Sequence, residues 1–170
     1  PFNLTVTMHS LMLRNIWYFG IPSKDLKPGQ IVHREICGVP VAFGRLSSGG
    51  AFALRDICPH RGVPLSEGRI RGAQVECCYH GWTFGTDGRC TSIPALGEND
   101  NVDLTKIMVR VFPIRESQGI IWIWVGDGDG ADVPTPLVPN VGETQPQIVH
   151  ALEFAVNIDP VSYTHLRAHE

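Results

Sequence analysis

The sequence predicts an all-β fold made of short antiparallel strands. Short apolar runs alternate with turn-forming residues along most of the chain, and sustained helical periodicity is scarce. Residues 56–96 break this rhythm, because they are dense in Gly, Pro, Cys and His and show little periodicity. We therefore expect a scaffold of hairpins that carries irregular loops, with the chemistry of the protein in those loops.

The first half of the chain predicts four strands. The first ends an apolar stretch, and the second and third are joined by a turn at Cys37-Gly38. A hairpin loop at residues 47–50 leads into the fourth. The predicted strands are residues 17–20, 31–36, 39–46 and 51–55.

The second half predicts another hairpin. Residues 107–114 and 119–125 form its strands around a loop at 115–118. Residues 120–125 are apolar at every position, which indicates a strand that is buried on both faces. Residues 147–156 are strand-like again.

Composition restricts the class of protein. The chain has 170 residues, which suits one domain or one domain plus the start of another. The net charge is −3 and there is no basic run, so neither a nucleic acid nor an anionic membrane surface is predicted as a partner. Residues 11–21 are too short to span a bilayer, and no signal peptide is predicted.

Cysteine usage points to a metal site. The five cysteines are an odd number, which argues against a disulfide framework. Without an export signal the expected location is the reducing cytoplasm, where clustered Cys and His residues are more typical of metal binding. Cys37, Cys90, His9, His33 and His150 stand apart from such clusters and are expected to be ordinary residues.

Two short motifs form such a cluster. The first is Cys58-Pro59-His60-Arg61-Gly62, and the second is Cys77-Cys78-Tyr79-His80-Gly81-Trp82, with sixteen residues between His60 and Cys77. Each motif supplies one thiol and one imidazole. In a Rieske-type [2Fe–2S] cluster two thiolates bind one iron and two imidazoles bind the other. The motifs therefore predict Cys58, His60, Cys77 and His80 as cluster ligands.

These residues resemble the Rieske domain of ring-hydroxylating oxygenases. Residues 56–66 and 79–84 are similar to that family's two cluster-binding loops, and Gly88-Arg89-Cys90 and Ile93-Pro94 match its usual continuation. The resemblance extends from about residue 15 to residue 124. It implies the Rieske iron–sulfur fold, an antiparallel β-sandwich with two cluster-binding loops, followed by the start of an α+β catalytic domain.

Cys78 departs from the family pattern, which usually has Pro or another non-ligand there. Only Cys77 lies three residues before His80, so Cys78 is expected to be a bystander. A structural zinc site with the same four ligands is the competing interpretation, although zinc motifs usually place two like residues in each half.

The resemblance also separates two groups of Rieske proteins. Respiratory Rieske proteins carry an extra Cys in each loop, and the two form a disulfide. Val63 and Tyr79 occupy those positions here, and Trp82 stands where the respiratory proteins have a Ser that hydrogen-bonds the cluster. The sequence thus belongs with the oxygenase group, toward the negative end of a range of about −150 to +300 mV.

Within that group the sequence favours an oxygenase large subunit in truncated form over a stand-alone Rieske ferredoxin. The predicted layout is an N-terminal segment (1–14), a Rieske domain (15–127), a linker (128–146), the beginning of a catalytic domain (147–160) and a non-native tail (161–170). Trp17-Tyr18 and Ile93-Pro94 most resemble the branch that hydroxylates or demethylates aromatic acids with O₂.

The family resemblance implies further components. A mononuclear Fe(II) is expected only in the missing catalytic domain, so no catalytic residue is assigned in this sequence. A ferredoxin or a flavin reductase is the expected electron donor, an aromatic compound the substrate, and a homotrimer the assembly of the full-length protein.

The C-terminal residues contain the residue types of a second iron site, but not its spacing. Asp159, His165, His169 and Glu170 supply two imidazoles and carboxylates, as in a facial triad. In the family the first His ligand follows an Asp or Asn by three residues, but Ser162 occupies that position here. Residues 161–170 also resemble a translated sequencing adapter, so no iron site is predicted among them.

Overall fold

A computed structural model of the chain describes residues 13–97 and 100–137. Three antiparallel sheets account for the strands in these ranges, in the orders β1-β10-β9, β2-β3-β4 and β5-β6-β7-β8. The strands are β1 (Ile16–Pro22), β2 (Ile31–Ile36), β3 (Val39–Arg45), β4 (Ala51–Arg55), β5 (Arg69–Arg71), β6 (Gln74–Glu76), β7 (Thr83–Gly85), β8 (Cys90–Ser92), β9 (Ile114–Ser117) and β10 (Ile120–Val125).

Strand β10 is buried on both faces, as its sequence predicts. Ile121 and Ile123 point into a core shared with the β2-β3-β4 sheet. Trp122 and Trp124 point to the opposite face, where they join Trp17 of β1 in an aromatic cluster. Alternation of side chains along a strand sends successive residues to opposite faces, so this strand needs apolar residues at every position.

Strand β4 joins two hydrophobic cores. Ala53 faces the core that is shared with β10, whereas Phe52 and Leu54 face a second core that contains both Cys58 and Cys77. The β2-β3-β4 sheet therefore lies between the two cores. Its β4 strand packs against the core that contains both cysteines.

The β2–β3 and β9–β10 hairpins are each closed by a two-residue turn. Cys37 (φ 55°) and Gly38 (φ 71°) connect β2 to β3, and Gln118 (φ 52°) and Gly119 (φ 73°) connect β9 to β10. Two successive residues with positive φ are the mark of a tight type I′ hairpin turn. The turn at Cys37-Gly38 agrees with the sequence prediction.

The second hairpin differs from its prediction. Residues 107–113 are mostly irregular, with isolated bridges at Met108 and Val111, and residues 114–117, three of which were predicted as loop, form β9. Pro113 lacks a backbone N–H for a ladder. Ile107 and Val109 instead pack against the second core, and Phe112 belongs to the core shared with β10.

The β5-β6-β7-β8 sheet could not be predicted from the sequence pattern. Each of its strands has only three residues, so no window is long enough to show a period of two. Val75 and Phe84 pair across the sheet and are fully buried in the second core. This small sheet carries the second Cys/His motif between β6 and β7.

The segment after β10 folds back on the aromatic cluster. Trp17 Nε1 donates a hydrogen bond to Val133 O (2.8 Å), and Trp124 Nε1 donates one to Asp127 O (3.1 Å). Arg115 adds hydrogen bonds to three carbonyls, those of Gly130, Ala131 and Val133, and its guanidinium lies 4.8 Å from the centroid of the Trp17 ring. Residues 127–133 thus cover one face of the sheet.

Several expectations concern residues outside the described ranges. These include residues 1–12, the strand-like segment 147–156, and the C-terminal set Asp159, His165, His169 and Glu170. No helix in residues 13–97 or 100–137 is long and apolar enough to cross a membrane.

We predict that Arg115→Ala releases the segment that follows β10. The change removes charged hydrogen bonds to three carbonyls and a cation–π contact, so the free energy of unfolding should fall by about 1–3 kcal/mol. Limited proteolysis should cut residues 128–137 faster. Arg14→Ala, which removes only an exposed ion pair with Asp127, is the matched control. Equal proteolysis of the two variants would contradict the prediction.

Candidate metal centre

The two Cys/His motifs form loops of the same backbone design. In the first, Cys58 N donates to Val63 O and Gly62 N donates to Cys58 O, both at 2.8 Å. In the second, Cys77 N donates to Trp82 O (2.8 Å) and Gly81 N donates to Cys77 O (3.1 Å). Each loop therefore closes over six residues that begin with a cysteine.

A glycine four residues after each cysteine allows this closure. Gly62 has φ 74° and Gly81 has φ 70°, in the left-handed region that residues with a Cβ rarely adopt. The matched geometry also settles which cysteine is equivalent to Cys58. It is Cys77, whose side chain is buried, whereas Cys78 is exposed.

The thiols of Cys58 and Cys77 lie together at the edge of the second core. Their residues are only 2% and 3% exposed, and the two thiols are neighbours. Burial raises the pKa of the Cys58 thiol to about 11, and the neighbouring Cys77 adds to this rise. Because a thiol with this pKa is protonated at neutral pH, metal binding there would release a proton.

The imidazoles of His60 and His80 form a second pair toward solvent. Their ring centroids are 4.6 Å apart. Desolvation lowers the pKa of His60, and the neighbouring His80 and Arg61 lower it further. A lowered pKa keeps the imidazole neutral, which is the state that binds a metal. Trp82 fixes the first ring by stacking on His60 at 4.5 Å with the planes 4° apart.

A small cavity lies between the two pairs. Its lining comprises Cys58, His60, Arg61, Val63, Cys77, Tyr79, His80 and Trp82. Within the described residues no three His, Cys, Asp or Glu side chains are grouped around one point that would hold an ion. A single zinc ion needs all four ligands around it, whereas a two-iron cluster needs two ligands at each iron. The two thiols on one side and the two imidazoles on the other correspond to the two ligand sets of such a cluster.

Comparison with known proteins agrees with this geometry. The Rieske [2Fe–2S] domain family matches residues 16–113, which is more than half of the chain. The chain belongs to the Rieske [2Fe–2S] domain family. The all-β Rieske fold and the cofactor class expected from the sequence are thereby confirmed.

Individual relatives of this Rieske domain are oxygenases. The 4β-methylsterol monooxygenase of Methylococcus capsulatus is 36% identical over 136 residues, covering 79% of this chain and 37% of the relative. A crystal structure of dicamba monooxygenase bound to dicamba has a TM-score of 0.62 and 36% identity, covering 71% of this chain and 38% of that one.

A third similar structure comes from a complex of two proteins. The structure of the reduced complex between oxygenase and ferredoxin in carbazole 1,9a-dioxygenase matches with a TM-score of 0.61 and 29% identity. It covers 68% of this chain and 30% of that one. The Rieske domain described here therefore spans about a third of the length of the relatives it matches.

A buried carboxylate anchors the first loop of the Rieske domain. The Asp56 side chain is fully buried two residues before Cys58. It accepts hydrogen bonds from Ser66 N (2.7 Å) and Ser66 Oγ (2.6 Å), and it lies 2.6 Å from His33 Nδ1. This network ties β2 to both ends of the loop, and it was missed at the sequence level because His33 is isolated in the sequence.

Other residues of the sequence analysis lie apart from the centre or at its rim. Arg61 is exposed at the cavity edge, and Tyr79, 61% exposed, packs against His80. Cys37 occupies the β2–β3 turn and Cys90 is buried in the second core, where burial raises its pKa. Neither cysteine lines the cavity between the two loops.

We predict that Asp56→Ala destabilises the Rieske domain by about 1–3 kcal/mol, because buried donors on Ser66 lose their acceptor. Denaturant unfolding followed by fluorescence measures the change. Asp103→Ala is the control, since that exposed carboxylate caps the turn at Thr105 and pairs with the exposed Lys106. Equal losses of stability in the two variants would contradict the prediction that the buried network contributes more than an exposed carboxylate.

Proposed function

We propose that Cys58, Cys77, His60 and His80 bind a [2Fe–2S] cluster whose job is to transfer single electrons. The observation that supports this most strongly is the separation of the side chains, with two neighbouring buried thiols on one side of a cavity and two adjacent imidazoles on its open side. A Rieske cluster needs this separation of sulfur and nitrogen ligands.

Different parts of the protein have different roles in holding such a cluster. The second core excludes water from the thiols, and the backbone N–H groups of His60 and Arg61 favour the thiolate form of Cys58 by lowering its pKa. The stacked Trp82 holds the His60 ring in place, and the exposed His80 brings the centre to the surface. When bound, the cluster supplies a reversible one-electron couple.

We further propose that this domain is the electron-transfer part of an oxygenase that hydroxylates or demethylates aromatic compounds with O₂. The names of the relatives support an oxygenase, and two of them act on or bind an aromatic compound. The O₂-activating mononuclear Fe(II) belongs to a catalytic domain that the described residues do not include. A stand-alone ferredoxin is the alternative, and it differs in needing no such domain.

The remaining expectations complete the proposal. A ferredoxin or a flavin reductase donates the electrons, which the oxygenase–ferredoxin complex of carbazole 1,9a-dioxygenase supports for a ferredoxin. The full-length protein is a cytoplasmic homotrimer. Neither nucleic acid nor a membrane is a partner.

Iron and sulfide analysis tests the ligand assignment. We predict about two irons and two acid-labile sulfides per chain after anaerobic expression, with a brown colour. Cys77→Ser should abolish the cluster, because it removes a buried ligand. Cys78→Ser should leave it largely intact, because that neighbouring side chain is exposed.

This pair of variants also controls for misfolding, since the two substitutions are chemically identical and adjacent. Loss of the cluster in Cys78→Ser with retention in Cys77→Ser would overturn the assigned register. Zinc in place of iron would refute the cluster itself.

A product assay tests the division between electron transfer and catalysis. We predict that the 170-residue chain accepts one electron from dithionite but forms no product from a panel of aromatic acids and O₂, because no facial triad is expected around Asp159. A third iron that disappears in His165→Ala, together with turnover, would show that an active site lies in the C-terminal residues.

A further inference from the structure

An open groove of about 370 Å³ lies beside the first cluster loop. Its walls come from two stretches of chain, residues 55–59 and residues 108–110. The backbones of these stretches are joined, because Arg55 N donates to Arg110 O (2.8 Å) and Leu54 bridges to Val111. The groove is therefore a fixed feature of the fold. Its lining is Arg55, Ile57, Pro59, Met108, Val109 and Arg110.

The groove carries uncompensated positive charge. Arg55 and Arg110 are both exposed, and within residues 13–97 and 100–137 neither forms an ion pair. No acidic residue lines the groove. The chain as a whole has a net charge of −3, so this basic site stands out against an acidic background. Such a patch attracts and orients an acidic surface.

Apolar side chains accompany the arginines. Met108 is 54% exposed and the adjacent Val111 is 40% exposed, although both are apolar. The guanidinium of Arg110 is held 4.8 Å from the centroid of the Phe112 ring, which limits its freedom before any partner binds. Exposed Met with pre-positioned Arg is a composition that is enriched at protein–protein interfaces.

The groove also lies next to the metal centre. Ile57 and Pro59 are the two sequence neighbours of Cys58, and both line the groove. A protein seated there is one residue from a proposed ligand on the thiol side. The imidazole side, with the exposed His80, stays open. The groove thus offers the donor a site beside the first cluster loop and leaves the exposed imidazole side free for an acceptor.

We propose that this groove is the docking surface for the acidic face of the electron-donor protein, of the ferredoxin class. The proposal rests on the proposed electron-transfer function and adds the place and the chemistry of docking. Carboxylates of the donor pair with Arg55 and Arg110 around an apolar contact on Met108. One electron passes, so that the donor is oxidised and the centre between the two loops is reduced, and no atoms are transferred.

Binding of a plant-type [2Fe–2S] ferredoxin, a donor with an acidic surface, tests the proposal. Isothermal titration calorimetry at low ionic strength gives the Kd for the 170-residue chain and for Arg55→Glu/Arg110→Glu. We expect the double variant to raise the Kd about tenfold or more and to weaken its dependence on salt. The matched control is Lys24→Glu/Lys27→Glu, which changes the net charge equally at exposed residues after β1. It should change the Kd far less.

The cluster provides the second readout. Stopped-flow reduction by the same ferredoxin should slow in the groove variant, whereas reduction by dithionite should remain close to that of the Lys24/Lys27 control. Equal effects of the two double variants on Kd would overturn the proposal, as would undetectable binding of ferredoxin to the unaltered chain. Parallel loss of reduction by dithionite would also overturn it, since the centre itself would then have changed.

These results separate the docking surface from the function on which it rests. A chain that contains no iron–sulfur cluster refutes the electron-transfer function. A chain that contains the cluster and accepts electrons, but whose affinity for ferredoxin does not depend on Arg55 and Arg110, refutes only the docking surface.

Discussion

The rest of the structure depends on the closure of two equivalent loops, each by a hydrogen bond from a cysteine N–H to the carbonyl five residues later. This closure is possible because Gly62 and Gly81 adopt positive φ. It turns each cysteine inward and leaves the histidine of the same loop at the rim. When two such loops face each other, their thiols meet on one side and their imidazoles on the other, which is the order that a two-iron cluster with mixed ligands requires.

The three sheets supply the rigidity that this arrangement needs. The first loop follows β4, the second lies between β6 and β7, and both cysteines belong to the core between those sheets. The buried Asp56 adds a polar anchor by joining the start of the first loop to β2 and to Ser66. Packing fixes the depth of the thiols, and the carboxylate fixes the path of the chain that reaches them. Ligands held by both kinds of contact need little reorganisation when a metal binds.

Sequence reasoning succeeds where the pattern is local and fails where it depends on three-dimensional neighbours. The β2-β3-β4 hairpins were predictable because their strands have five to seven residues and their turns contain glycine. The β5-β6-β7-β8 sheet was not, because three-residue strands show no period. Ile107, Val109 and Phe112 are apolar because they pack in the two cores, and not because they belong to a strand, which explains the misplaced β9. The motif spacing identified the four candidate ligands, but only the fold could show that His33 reaches Asp56 across the chain.

The surroundings of the cysteines bear on the reduction potential of the centre. Hydrogen bonds to the sulfurs and exposure to solvent set the potential of an iron–sulfur cluster. Val63 and Trp82 line this cavity, and neither offers a hydroxyl or a second thiol to the sulfur side. The Trp82 ring instead stacks on His60, so its contact is with the imidazole side. Backbone N–H groups of the two loops are then the donors best placed for the sulfur side. The low potential that the sequence resemblance implies stays a prediction, and the reduction potential of the chain tests it directly.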